Sequence, residues 1–403
     1  MSHHRLPLTA PRPRRRTLGS GAVVAALLGM LAGTSGCAAH RAGQAAPAPA
    51  PQRPFALGAD ISFLDSPMMR PGMTRPTYQE NGVPSDELTI LERHGWNAYR
   101  LRVFVSPVRD APDNSLENTI PLARRIKASG ALFLLDIHYS DTWADPQHQE
   151  IPVAWRGLSF DSLEHQVETY SRDVIEALKD AGAMPDWVQV GNEITRGTLW
   201  PVGQVEEPGD TVYLPPPPYD STLQWAHLTG LLKAGIRGVM EGAGTTPPKI
   251  AIHIDRGGDW PKTRWFFDHL DTAHVPYDII AESFYPEWGH GTLEQLWANM
   301  DSCAARYPGK GFLVAETGYG ASHVHGENPD MMWPLTPAGR VQFMADLINT
   351  VKAAPNGLGV MYWAPEFGVW NRDGSPGPAV FVLDSLQALR ARPASHLPAE
   401  VNP

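Results

Sequence analysis

From residue 55 onward, short apolar runs alternate with longer stretches whose apolar positions recur at helical spacing. Leu57 to Ile61 reads as a first strand. A helix follows, with Ser85 as N-cap, Asp86 and Glu87 in its first turn and Gly95 past its end. Across 97–105 the two sides alternate: Tyr99, Leu101, Val103 and Val105 share one face, Arg100, Arg102 and Phe104 the other. A helical stretch runs on to Gly130. The nearly continuous apolar run from Ala131 to His138 suits a strand buried on both faces. In the clearest helix, Leu163, Val167, Tyr170, Val174 and Leu178 recur periodically, with Asp161 as N-cap, Glu164 three residues on and Gly182 beyond the end. Further strands are predicted at 186–192, 249–254, 278–284, 311–315 and 358–363, with helical patterns between them. Eight strand-then-helix units without a second domain predict an α/β fold, a closed (β/α)₈ (TIM) barrel over residues 55–392.

The N-terminus breaks this pattern. Arg12, Arg14, Arg15 and Arg16 precede a small apolar run from Leu18 to Gly33, the charged and apolar regions of a secretory signal over residues 1–36. The run is too short to span a membrane confidently. It ends in Thr34-Ser35-Gly36-Cys37, which resembles a bacterial lipobox with Cys37 as the acylated residue, although Thr34 stands where leucine is usual. Arg15-Arg16 also permits a twin-arginine route. Residues 37–54, rich in Ala and Pro, read as an extended tether, and 393–403 as a tail. The expectation is an exported protein, secreted or anchored to a membrane through Cys37 at the periplasmic or cell surface.

Removal of residues 1–36 takes away five arginines and no acids. That leaves 28 Lys+Arg against 43 Asp+Glu, a net charge of −15. Such a surface argues against a nucleic-acid partner and suits a neutral ligand. With Cys37 lipidated, Cys303 has no disulfide partner, and its helical setting reads as a small buried hydrophobe. A monomer is expected.

In such barrels, chemistry collects where strands end. The first strand ends near Asp60 and the second carries Arg100 and Arg102. The third ends Asp136-Ile137-His138-Tyr139 and the fourth Gly191-Asn192-Glu193. The sixth ends Ser283-Phe284-Tyr285-Pro286, the seventh Ala315-Glu316-Thr317 and the eighth Tyr362-Trp363. Two glutamates at the ends of different strands suit glycosidic cleavage: one protonates the leaving oxygen, the other attacks the anomeric carbon. The nucleophile must stay ionised, which the second-strand arginines and Tyr285 can support. The acid must keep its proton, which partial burial and a neighbouring carboxylate can arrange. Trp143, Trp155, Trp200, Trp260, Trp288, Trp333, Trp363 and Trp370 lie on or beside the loops. Half of them are expected to stack on sugar rings and half to pack the barrel, with Trp363 the foremost stacking candidate. This chemistry requires no metal and no cofactor. Glu327, Asn328 and Asp330 lack the spacing of a calcium loop, and His323 and His325 read as solvent-exposed.

From about residue 56 to 370 the chain resembles glycoside hydrolase family 53, the endo-β-1,4-galactanases. The resemblance is carried by Gly58-Ala-Asp-Ile-Ser62, Arg100-Leu-Arg-Val-Phe104, and Leu135-Asp-Ile-His-Tyr-Ser-Asp-Thr-Trp-Ala-Asp-Pro146 with Gln149, Pro152 and Trp155. Val188-Gln-Val-Gly-Asn-Glu-Ile-Thr195, Ser283-Phe-Tyr-Pro286, Val314-Ala-Glu-Thr317 and Gly359-Val-Met-Tyr-Trp363 continue it in order. The resemblance implies a retaining hydrolase of galactan-like polysaccharide. In it Glu193 is the acid/base, Glu316 the nucleophile and Asn192 the residue that holds the sugar 2-hydroxyl. Arg102, His138, Tyr285 and Trp363 line the cleavage subsite, and Asp136 joins them as a substrate-binding candidate. Phe284, Ala364 and the segment Glu287-Trp-Gly-His290 depart from the family pattern. The residues therefore leave open another β-linked glycan, such as a mannan or glucan, and a non-catalytic glycan-binding lipoprotein.

Overall fold

A computed structural model of the chain describes residues 54–64, 77–107, 114–320, 330–371, 373–384 and 386. The signal segment, Cys37, the tether up to residue 53, the tail 393–403, and His323, His325, Glu327 and Asn328 lie outside the described residues. Eight parallel strands close a barrel: β1 Ala56–Asp60, β2 Ala98–Val103, β3 Leu132–Ile137, β4 Trp187–Val190, β5 Lys249–Ile254, β6 Ile279–Phe284, β7 Gly311–Thr317 and β8 Gly357–Trp363. Each pairs with its sequence neighbour, and β8 closes on β1 through registers such as Asp60 opposite Trp363. The predicted (β/α)₈ barrel is thus the observed one.

Among the described residues seven α-helices wrap it: α1 Glu87–Arg93, α2 Leu116–Ser129, α3 Phe160–Asp180, α4 Ser221–Ala243, α5 Trp260–Thr272, α6 Leu293–Arg306 and α7 Pro337–Ala353. After β8 the chain forms a 3-10 turn, Pro378–Phe381, that runs into helical residues 382–384. Two predicted caps move by one or two residues. Asp86, not Ser85, caps α1 by accepting from the Thr89 N–H, and Ser159, not Asp161, caps α3 by accepting from the Ser162 N–H. In both cases the capping side chain is the one three residues before the amide it binds, which is the reach the motif demands. Glu164 instead faces Arg237 of α4 at 3.4 Å.

Burial splits into two clusters. The larger fills the space between strands and helices and includes Trp96, Phe133, Phe266, Phe267 and Phe343. Cys303 is fully buried in it. The smaller takes residues from every strand, among them Ala56, Ala98, Leu134, Trp187, Ala251, Ile279, Leu313 and Met361, and plugs the barrel interior. Two residues further along the same inward faces, the apolar layer gives way to Asp60 after Gly58, Arg100, Asp136, Gln189 and His253, so one interior carries an apolar floor and a polar top.

Helix α4 lies hard against α3 where Gly238 and Gly242 face it. A Cβ on Gly238 would come 2.1 Å from the Glu168 carbonyl oxygen, and one on Gly242 2.6 Å from that of Arg172. Gly238→Ala gains about 1 kcal/mol of helix propensity but forces two backbones apart. A net loss of about 1–3 kcal/mol is expected in urea unfolding; a neutral or stabilised variant would mean that the contact yields freely.

Candidate active site

The site is built around the guanidinium of Arg100, which is wholly buried. Its Nη1 lies 2.9 Å from Asp60 Oδ2 and 2.8 Å from Glu316 Oε1. Its Nη2 lies 2.6 Å from Asp136 Oδ2 and 2.7 Å from Asn192 Oδ1. One cation from β2 therefore ties together the ends of β1, β3, β4 and β7. The planar, always-charged fork of arginine suits this better than any other side chain.

Glu316 reaches this level through an irregularity. β6 and β7 pair Glu282 with Val314 but Ser283 with Glu316, so Ala315 is skipped. Such a bulge re-aims the side chains that follow it. Glu316 Oε2 also accepts from the Tyr285 hydroxyl at 3.2 Å. Burial and the charges of Glu316 and Glu193 push the Tyr285 hydroxyl well above its ordinary pKa, so it remains a donor.

Glu193 follows β4 with left-handed backbone, φ 47° and ψ 48°. Tyr139 and Ala364, just past the ends of β3 and β8, share this conformation. Non-glycine residues held there carry strain, which concentrates at functional sites. No cation bonds Glu193 among the described residues; Oε1 lies 2.6 Å from Ser283 Oγ. Burial, then the charges of Glu316 and Asp255, push its carboxyl well above the usual range. Burial raises Glu316 as well, and the guanidinium of Arg100 pulls it back. A single proton shared between the two belongs on Glu193.

Both glutamates open into a cleft of about 1230 Å³, also lined by Arg102, His138, Trp143, Asn192, Tyr285, Trp288 and Trp363. Arg102 lies over the rings of Phe63 and Trp143, 4.5 Å from each centroid, with Nη2 3.4 Å from Asp60 Oδ1; among the described residues its guanidinium nitrogens make no hydrogen bond. His138 receives the Ala144 N–H at Nδ1 and so donates from Nε2 to Asp136, 2.9 Å away. Asn192 Nδ2 donates to the Ala144 carbonyl at 2.8 Å, which leaves its second N–H for the cleft.

A family model matches this architecture in sequence: that of glycosyl hydrolase family 53, over residues 56–380. The chain belongs to that family. An uncharacterised protein of Niallia circulans is 41% identical over 326 residues, 77% of this chain and 83% of that protein. An arabinogalactan endo-β-1,4-galactanase of Thermothelomyces thermophilus is 32% identical over 308 residues, 73% of this chain and 85% of that enzyme. A solved fungal β-1,4-galactanase superposes with a TM-score of 0.71 at 29% identity, spanning 82% of this chain and 98% of that one. The family 53 catalytic domain of Ignisphaera aggregans gives 0.70 at 29%, over 83% and 98%.

Against this family 53 site, the sequence-level candidates separate. Glu193, Glu316, Arg102, His138, Asn192, Tyr285 and Trp363 all line the cleft. Asp136 does not. It is fully buried, and its oxygens are taken by Arg100, His138 and the Gln189 amide at 2.6 Å, so it stands behind the cleft wall rather than facing substrate. Of the eight loop tryptophans, Trp143, Trp288 and Trp363 line the cleft, while Trp155, Trp333 and Trp370 are buried packing residues. Gln149 clamps the loop after β3 to the Asn192 carbonyl at 2.7 Å. Sequence reasoning passed over Gln189 and His253. Both lie on inward strand positions, two residues past the apolar interior residues Trp187 and Ala251, and that parity was the available signal.

Arg100→Met would leave Asp60 and Asp136 buried beside an alkyl chain. It is expected to cost about 3–5 kcal/mol of stability, read by urea unfolding, and to eliminate hydrolysis. Arg100→Lys keeps the charge but cannot span four oxygens, and kcat is expected to fall about 10²–10³-fold. A lysine variant with wild-type kcat would show that charge alone suffices.

Proposed function

We propose that this family 53 protein is an endo-acting β-1,4-galactanase that works by double displacement, with Glu316 as nucleophile and Glu193 as acid/base. The observation that carries the division of labour is the unequal setting of the two carboxyls. Glu316 has a guanidinium and a phenol on it, and Glu193 has neither. The galactan substrate class rests on the names of the curated relatives and solved neighbours. Glu316 attacks the anomeric carbon while Glu193 hands its proton to the leaving oxygen. Glu193, now ionised, then takes a proton from the water that frees the sugar. Because Glu193 is raised well above the usual carboxyl range, kcat/KM is expected to hold through mildly acidic pH and to fall as pH rises through the Glu193 pKa.

Product analysis on unbranched β-1,4-galactan tests the substrate, and a mannan or glucan cut in preference would overturn it. The roles are tested on aryl β-galactobiosides with azide. Glu316→Ala is expected to lose turnover on every substrate and to give only the α-azide. Glu193→Ala should retain the first step on a dinitrophenyl leaving group, accumulate the glycosyl-enzyme and yield the β-azide. The reverse assignment of azide products would exchange the roles.

We also propose that the chain is exported and held on a membrane through lipidated Cys37, on the strength of the apolar segment and Thr34-Ser35-Gly36-Cys37. Globomycin is then expected to block precursor processing and Cys37→Ser to release active enzyme. Unchanged membrane attachment of Cys37→Ser would rule the anchor out.

A further inference from the structure

Glu193, Ser283, His253 and Asn192 form one continuous chain of polar contacts. Ser283 Oγ lies 2.6 Å from Glu193 Oε1 and 3.0 Å from His253 Nε2, and His253 Nδ1 lies 2.9 Å from Asn192 Oδ1. His253 and Ser283 are fully buried. The direction of every hydrogen in this chain follows from its anchored end.

Asn192 cannot turn over. Its Oδ1 faces Arg100, which only donates, and its Nδ2 faces the Ala144 carbonyl, which only accepts. The Gln189 amide also donates to that oxygen at 3.0 Å. The group opposite, His253 Nδ1, must therefore carry a hydrogen. Burial and the nearby guanidinium of Arg100 hold the imidazole well below its ordinary pKa, so the ring carries only that one. Asp136 draws the other way, and His138 and His290 reinforce Arg100. Nε2 is then an acceptor, and Ser283 donates to it. Ser283 has one hydrogen, so with that hydrogen on His253 it meets Glu193 Oε1 as an acceptor; only against an ionised Glu193 would the hydroxyl donate and lower the carboxyl's pKa. The hydrogen in that contact belongs to Glu193.

We infer that Ser283 and His253 are positioning residues that hold Glu193 in its acid form, with its proton seated against Ser283 and out of the open cleft. This rests on the reading of Glu193 as the acid/base. When substrate docks, a half-turn of the carboxyl about χ3, a broad two-fold torsion, exchanges its oxygens. The protonated oxygen then faces the glycosidic oxygen and gives it the proton. The bare oxygen faces Ser283, whose hydroxyl hydrogen turns from His253 Nε2 to the new carboxylate. One proton passes from Glu193 to the leaving group, and the serine hydrogen only changes acceptor. In the second step the cleft-facing oxygen takes the water proton, and the reverse half-turn, with the serine hydrogen returning to His253 Nε2, restores the starting arrangement. The other ionisable groups around Glu193 are Glu316 from β7, Asp255 after β5, Asp145 from the loop after β3 and Tyr285 after β6.

The test is the alkaline limb of kcat/KM for the full chain on galacto-oligosaccharides. His253→Leu removes the acceptor, frees the Ser283 hydrogen to stabilise ionised Glu193, and should move the limb down by about one pH unit. Adding Ser283→Ala should return it by about the same amount. A dinitrophenyl β-galactobioside needs no protonation, so its kcat/KM in His253→Leu should stay within about twofold of the parent. A merely structural role would lower both substrates alike and leave the limb in place. An unmoved limb, or a downward shift that survives Ser283→Ala, overturns the inference. Neutron diffraction of the unsubstituted chain decides the matter even where variants do not fold. Deuterium on His253 Nδ1 with Nε2 bare supports it, and deuterium on Nε2 overturns it. If Glu193→Ala yields the β-azide while the limb in His253→Leu does not move, the hydrogen-bond chain fails and the acid/base reading stands. If no β-azide forms, it is the acid/base reading that fails.

Discussion

A single guanidinium buried at the top of a barrel sets the terms for everything around it. Arg100 stands wholly buried among three carboxylates and an amide. Burying an ion is costly unless it is paired and hydrogen-bonded. The partners offered by β1, β3, β4 and β7 are therefore conditions for the barrel top to exist, as well as for chemistry to take place there. Asp60 and Asp136 carry the structural half of this arrangement. Burial raises Asp136, and Arg100 and His138 more than reverse that, so it stays ionised and returns the charge to Arg100. Glu316 completes the set while keeping one oxygen toward the cleft.

The apolar floor beneath is what makes the polar top precise. Side chains such as Leu134, Trp187 and Met361 fill the barrel below, so the charged layer above rests on close-packed material and not on solvent. The low polarisability of that floor strengthens each contact of Arg100. Position along β7 is set by the skipped residue Ala315, which brings Glu316 level with Ser283. The two glutamates thus reach the same cleft and their partners through backbone geometry that packing enforces, and the strained backbone of Glu193 is held by the same packing.

Much of this was legible in the chain. Eight strand-then-helix units predicted the barrel, because each strand had one apolar run and each helix one apolar stripe. Polar residues just past the runs marked one end of the barrel, where Glu193, Glu316, Arg102, His138, Asn192, Tyr285 and Trp363 line one cleft while Asp136 is buried behind it. Strand-end position alone does not tell a residue that faces the cleft from one that neutralises a neighbour, and Asp136 is placed with the second kind by Arg100 on the adjoining strand. His253 and Gln189 were not site candidates because they lie inside strands, one residue before the ends. The bulge at Ala315 leaves no mark in composition or periodicity, because it is a property of two strands pairing and not of either one alone. The caps of α1 and α3 slipped by one or two residues because Ser85, Asp86, Ser159 and Asp161 are all competent cap residues, and only the backbone at the first turn selects among them.

Arg100 acts on the two catalytic candidates in opposite senses, and the difference lies in the number of hydrogen bonds between them. It bonds Glu316 directly, and a cation one hydrogen bond away favours the carboxylate. It reaches Glu193 only through Asn192, His253 and Ser283. Along that path each group must pass on the polarity it receives: Arg100 orients Asn192 with its oxygen inward, that oxygen demands a hydrogen on His253 Nδ1, and a neutral ring then offers a lone pair to Ser283. In the arrangement inferred above, the serine has spent its hydrogen and accepts one from Glu193; against an ionised Glu193 the same hydroxyl donates. A donor at the head of the chain thereby becomes an acceptor at its tail. On the proposed assignment, the same fixed charge that favours the carboxylate of Glu316 favours the acid form of Glu193, and a barrel that needed a cation for its own stability acquires from it the asymmetry that acid–nucleophile catalysis requires.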